Sequence, residues 1–137
     1  MTDLLVINLN IVGGLLILLA LIHIIFPTFF NWKEELSRLS LINRQMMIIH
    51  TFFIALMVLL MGVLCVGFTE DLINTKLGKT ISIGLAIFWS IRLIVQFFGY
   101  SSKLWKGKMF ETSAHIGFTG LWLYLSGVFW WNGVISF

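Results

Sequence analysis

Four apolar runs of about twenty residues each leave this chain few ways to fold, because about 20 consecutive apolar residues make a helix long enough to cross the hydrocarbon of a membrane. They occupy residues 4–26, 46–68, 80–100 and 113–135. Only short polar segments join them, so four helices and their connections use up the 137 residues. Composition agrees: 59% of residues are hydrophobic and 11% charged, against about a quarter charged in an ordinary soluble domain. The expected fold class is all-α, a four-helix antiparallel transmembrane bundle forming one polytopic membrane domain over residues 1–137, without room for a soluble catalytic domain. The first run has no basic residue before it and no small-x-small cleavage site, so it reads as a retained span and not as a signal peptide.

The segment between the first two runs, FPTFFNWKEELSRLSLINRQMMIIH from Phe26 to His50, gathers Lys33, Glu34, Glu35, Arg38 and Arg44. Pro27 is expected to stop the first span, since proline lacks an amide donor and clashes with the preceding turn. Asn31 and Glu34 stand at capping-box spacing, and Trp32, Leu36 and Leu39 recur opposite the charges. This predicts a short amphipathic helix lying in the headgroup plane. Residues 69–79 read as a turn-rich loop, and residues 101–112 mix Lys103, Lys106 and Lys108 with Trp105 and Phe110.

Lysine and arginine in short loops resist translocation. Lys33, Arg38, Arg44, Lys103, Lys106 and Lys108 lie on one side, against Lys76 and Lys79 on the other. The loops 27–45 and 101–112 are therefore expected in the cytoplasm, with both termini extracytoplasmic across an inner (plasma) membrane and the interfacial helix cytoplasmic. The net charge of +3 falls mostly in those loops. It suits contact with anionic membrane lipids and makes no case for nucleic acid. A single cysteine, Cys65, excludes an internal disulfide and a cysteine metal cluster.

All three histidines, His23, His50 and His115, stand near the cytoplasmic ends of their spans. At 1.5 Å rise per residue they lie about 6 to 10 Å inside the helix ends. Gln96 falls at the same level, Arg92 one turn deeper, and Trp89 three residues before Arg92. An arginine in mid-helix costs about 2.5 to 3.5 kcal/mol to insert. Either it snorkels to the headgroups or bonds to the end of a neighbouring helix, or it meets an anion, and the last makes Arg92, Gln96 and Trp89 candidates to bind a cofactor. Neutral imidazoles from three helices suit zinc or iron with one open position, and two of them suit the axial ligation of haem, so His23, His50 and His115 are the candidate metal ligands. Glu111, four residues before His115 on the stripe that continues through Thr119, Trp122 and Ser126, is the candidate catalytic base. Neither HExxH nor a histidine pair at i, i+4 is present. The plainer reading makes each histidine an interfacial side chain bonded to a helix end. Ser113, Gly117 and Gly120 are expected to let the fourth span approach a neighbour closely.

These features lead to an expected function as a small bacterial-type inner-membrane protein that holds haem or a divalent Zn or Fe ion. Haem implies electron transfer with a quinone, and an open metal site implies hydrolysis or oxidation of a lipid-like substrate. Two rivals stand beside it. One is a non-catalytic accessory or scaffold subunit of a larger membrane complex. The other is a small transporter acting as a homo-oligomer, with Arg92 marking the path of an anion.

Overall fold

A computed structural model describes residues 2–100, 104 and 107–135, and among these the chain is helical throughout, without a strand. Its elements are α1 (Thr2–Ile22), α2 (Phe26–Phe29), α3 (Trp32–Glu35), α4 (Leu41–Gly67), α5 (Thr69–Asn74), α6 (Lys76–Phe98) and α7 (Met109–Trp130), with a 3-10 turn at Leu36–Arg38 and a π-turn at Trp131–Ile135. Helices α1, α4 and α6 are long and apolar enough to cross a membrane. Helix α7 matches them in length at 22 residues, but Glu111, Thr112, Ser113 and His115 make its first turns polar. Lys103, Trp105 and Lys106, which carry part of the orientation argument, lie outside the described residues.

Several boundaries differ from those expected. Helix α1 ends at Ile22, five residues before Pro27. The intervening residues are held by tighter i to i−3 bonds, such as His23 N to Ala20 O at 3.2 Å and Ile25 N to Ile22 O at 3.0 Å. Pro27 then sits in the first turn of α2, where a missing amide is harmless. Its ring clashes with the carbonyl four residues back, that of His23, which is why the preceding turn leaves the α-helical path. The capping box is not formed. Asn31 lies in the left-handed region at φ 52, without a side-chain cap, and its Nδ2 instead donates to Glu34 Oε2 at 3.0 Å. Residues 69–79 are α5, the cap Thr75 and the first turn of α6 where a loop was expected. Thr75 Oγ1 accepts from Gly78 N at 2.9 Å, satisfying one of the free amides that open α6.

By contact density the chain divides into two compact units, Leu9–Thr69 and the pair of segments Met1–Asn8 and Glu70–Phe137. In the first, Leu9, Val12, Leu16 and Leu19 form a buried stripe on α1 at steps of three and four residues. Buried Val58, Met61, Gly62 and Cys65 mark the corresponding face of α4. Gly13 and Gly62 let the two backbones approach: a Cβ at Gly62 would lie 2.8 Å from Gly13 O and 3.0 Å from Ile17 N. Close approach therefore depends on this pair, while Gly117 and Gly120, expected to serve that purpose on α7, have nothing within 4 Å of an added Cβ.

In the second unit α6 and α7 run antiparallel. Gln96 meets His115, Trp89 meets Trp122, and Ser82 meets Asn132, so positions advance on one helix as they recede on the other. Asn132 is fully buried. Its Nδ2 donates to Leu72 O at 2.9 Å and to Ser82 Oγ at 2.6 Å, tying the π-turn to the C-terminal turn of α5, whose carbonyls have no partner of their own in the helix. Near the other end of the sequence, Tyr124 Oη donates to Asn8 Oδ1 at 2.6 Å.

Candidate functional site

The α6–α7 pair brings four of the anticipated residues together. Trp89, Arg92 and Gln96 recur at three- and four-residue steps on one face of α6, and the antiparallel partner supplies His115 and Trp122, seven residues apart and so on one face of α7. Trp89, Gln96 and Trp122 are buried, and Arg92 and His115 half-buried. Trp122 Nε1 donates to Gln96 Oε1 at 3.2 Å, and Gln96 Nε2 lies 2.9 Å from His115 Nδ1.

The donor inventory fixes the direction of this chain. An indole N–H only donates, so the Gln96 oxygen must face it and the Gln96 amide nitrogen must face the imidazole. His115 Nδ1 therefore accepts, and the proton of its neutral ring sits on Nε2. A metal bound through Nε2 needs the other tautomer. His23 has that tautomer: its Nδ1 is 2.8 Å from Leu19 O, a carbonyl that can only accept, which leaves the lone pair on Nε2. The His23 ring also packs on Phe26, with centroids 4.8 Å apart. His50 is exposed on α4 and Glu111 exposed in the first turn of α7. His23 and His50 belong to one compact unit and His115 to the other. Among the described residues no group of three or more His, Cys, Asp or Glu side chains is placed to hold a metal ion.

Rings enclose the guanidinium of Arg92. Its Cζ lies 5.0 Å from the Trp122 centroid and 5.6 Å from that of Tyr100, and Nη2 donates to Tyr100 Oη at 3.4 Å. Trp122 is itself stacked against Trp89, at 5.1 Å and 15°, and against Phe118, at 5.6 Å and 22°. Cation–π contact with a desolvated ring stabilises an arginine by about 2 kcal/mol, which offsets much of the insertion cost, so Arg92 has no need to reach for the headgroups. Two donors remain over. Arg92 Nη1 and Trp89 Nε1 are buried and have no hydrogen-bond partner among the described residues. They belong to side chains one turn apart on α6.

The sequence singled out Trp89, Arg92 and Gln96 but not the role of Trp122, which it placed only on the stripe of His115. The signal was the seven-residue step from His115 to Trp122, two helical turns. Compared with known protein families, curated proteins and solved structures, the chain matches none.

Proposed function

We propose that the chain is an integral membrane protein that threads the bilayer four times, with α7 as the fourth span, and that the cluster between α6 and α7 binds the anionic or carbonyl head of a membrane-dissolved ligand. Four crossings put residues 27–45 and 101–112 on one side, and their excess of lysine and arginine favours the cytoplasm for them. Helix α7 runs antiparallel to the apolar α6 and shares buried side chains with it, which supports a common depth despite its polar first turns.

The observation that carries the binding reading is the pair of buried donors without acceptors among the described residues, Arg92 Nη1 and Trp89 Nε1. A buried donor left unpaired costs about 1–3 kcal/mol, and more when it is charged. A head group that bears an acceptor oxygen would supply the missing partner. Haem propionates, quinone carbonyls and lipid phosphates all carry this chemistry. Haem or a metal bound at this cluster would in addition need an imidazole; His115 is the histidine of this compact unit, and it would have to give up the tautomer that its bond with Gln96 selects.

The protein purified in mild detergent is expected to retain a small molecule with an acceptor head, identified by its absorption spectrum if haem and by mass spectrometry of an organic extract otherwise. Arg92→Gln should deplete it about tenfold, the value of one charge-assisted hydrogen bond. Colourless protein whose extract is the same in the wild type and in Arg92→Gln refutes the proposal and leaves the accessory-subunit reading in its place.

A further inference from the structure

A second candidate site belongs to the other compact unit, on the connector from α1 to α4. Pro27, Trp32, Lys33, Leu36, Arg44 and Ile48 line a cleft of about 390 Å³. Four of the six present carbon: a pyrrolidine ring, an indole and two branched aliphatic chains. The other two are cations, and no carboxylate stands among the lining residues. Among the described residues neither the Lys33 nor the Arg44 side chain has a hydrogen bond or an ion pair. The carboxylate next to Lys33 in sequence, that of Glu34, is turned to Asn31 instead. Arg44 and Trp32 are half-buried, so the cleft holds part of its cationic lining out of bulk solvent.

We propose that this cleft is a binding site for an anionic glycerophospholipid, with the phosphate between Lys33 and Arg44 and the start of the acyl chains along Pro27, Leu36 and Ile48. The location supports a lipid. The connector joins two helices that are each long and apolar enough to cross a membrane. Helix α4 has 27 residues, which at 1.5 Å per residue is about 40 Å, against about 30 Å for a hydrocarbon core. Its first turns, with Arg44, therefore reach the depth of the headgroups, where an indole such as that of Trp32 also prefers to sit. The exposed Ile24, Ile25, Phe29 and Phe30 beside the cleft give the connector an oily surface. A free anion would gain nothing from an apolar wall, whereas a lipid uses both halves of the lining.

The test uses the full-length protein in nanodiscs containing phosphatidylglycerol or phosphatidylcholine brominated on the acyl chain. Bromine quenches nearby indoles, and subtracting the signal of Trp32→Phe isolates the contribution of Trp32. Each cation near a membrane surface is worth about a fivefold preference for anionic lipid, and the pair about thirtyfold. Trp32 should therefore be quenched at a far lower fraction of phosphatidylglycerol than of phosphatidylcholine. The preference should vanish in the double variant Lys33→Gln, Arg44→Gln and fall about fivefold in Lys33→Gln alone. Lys33 is exposed, so the single variant decides the matter if the double one fails to fold. Equal quenching by both lipids, or a preference that survives Lys33→Gln undiminished, overturns the assignment. So does displacement of the brominated lipid by inorganic phosphate, which would mark a site for free anions.

Discussion

Replacing Gly62 with alanine adds one methyl group where α1 and α4 come closest, and two opposing effects follow. In a helix interior alanine is favoured over glycine by about 1 kcal/mol. The new Cβ would, however, stand 2.8 Å from Gly13 O, 2.8 Å from Ile17 Cγ1 and 3.0 Å from Ile17 N. Overpacking of this kind costs about 1–3 kcal/mol. Two of the three obstructing atoms are backbone, which no rotamer change can move, so the helices must part and the cost falls in the upper half of that range. The net expectation is a loss of about 1–2 kcal/mol. Gly14→Ala is the matched control, since a Cβ there meets nothing within 4 Å, and it should gain up to about 1 kcal/mol. Unfolding in mixed micelles, titrated by the fraction of denaturing detergent, should place the midpoint of Gly62→Ala below the wild type and that of Gly14→Ala at or above it. Equal midpoints for the two variants would refute the claim that the α1–α4 contact rests on glycine.

Gln96→Leu removes the acceptor of Trp122 Nε1 inside the α6–α7 pair and should cost about 1–3 kcal/mol, measured by the same titration; unchanged stability would mean that the chain of side-chain bonds there is not formed. Asn132→Ala deprives Leu72 O and Ser82 Oγ of their donor and should cost a similar amount, about 1–3 kcal/mol, with amide exchange in α5 rising before that in α4. Thr75→Val takes away the N-cap of α6 and should cost about 0.5–2 kcal/mol, while Thr75→Ser, which keeps the hydroxyl, should stay near wild type; two variants of equal stability would discount the cap.

The long helices were legible because apolar runs of spanning length admit few alternatives, and the structure keeps α1, α4 and α6 where those runs lie. Polar helix ends were not. Residues 41–45 escaped because hydropathy registers Asn43, Arg44 and Gln45 as loop, although they form the first turns of α4. Likewise Glu70 and Asp71 read as turn residues, yet acidic side chains in a first turn are favoured by the partial positive charge of a helix N-terminus, as in α5. In the candidate site Trp89, Arg92 and Gln96 were found by their spacing on one helix. Their bonding order was hidden, because it depends on which face of α7 meets α6, and hydropathy carries no rotational information. The same limit applies to glycine: Gly117 and Gly120 have the small-residue spacing of a helix contact, while Gly13 and Gly62, far apart in sequence, make one.

The division of the chain also bears on how it is synthesised. Leu9–Thr69 is one uninterrupted stretch, so its packing can begin while the ribosome is still adding residues beyond it. The other unit waits for its last turn: Asn132 is joined to Leu72 across 60 positions and Tyr124 to Asn8 across 116. Until those residues emerge, α5 and α6 lack the anchor that holds them together, and they are the part most open to quality-control proteases. Chains cut short before Trp131 should therefore be cleaved between Glu70 and Trp130 while Leu9–Thr69 survives, a pattern that limited proteolysis followed by mass spectrometry would show directly.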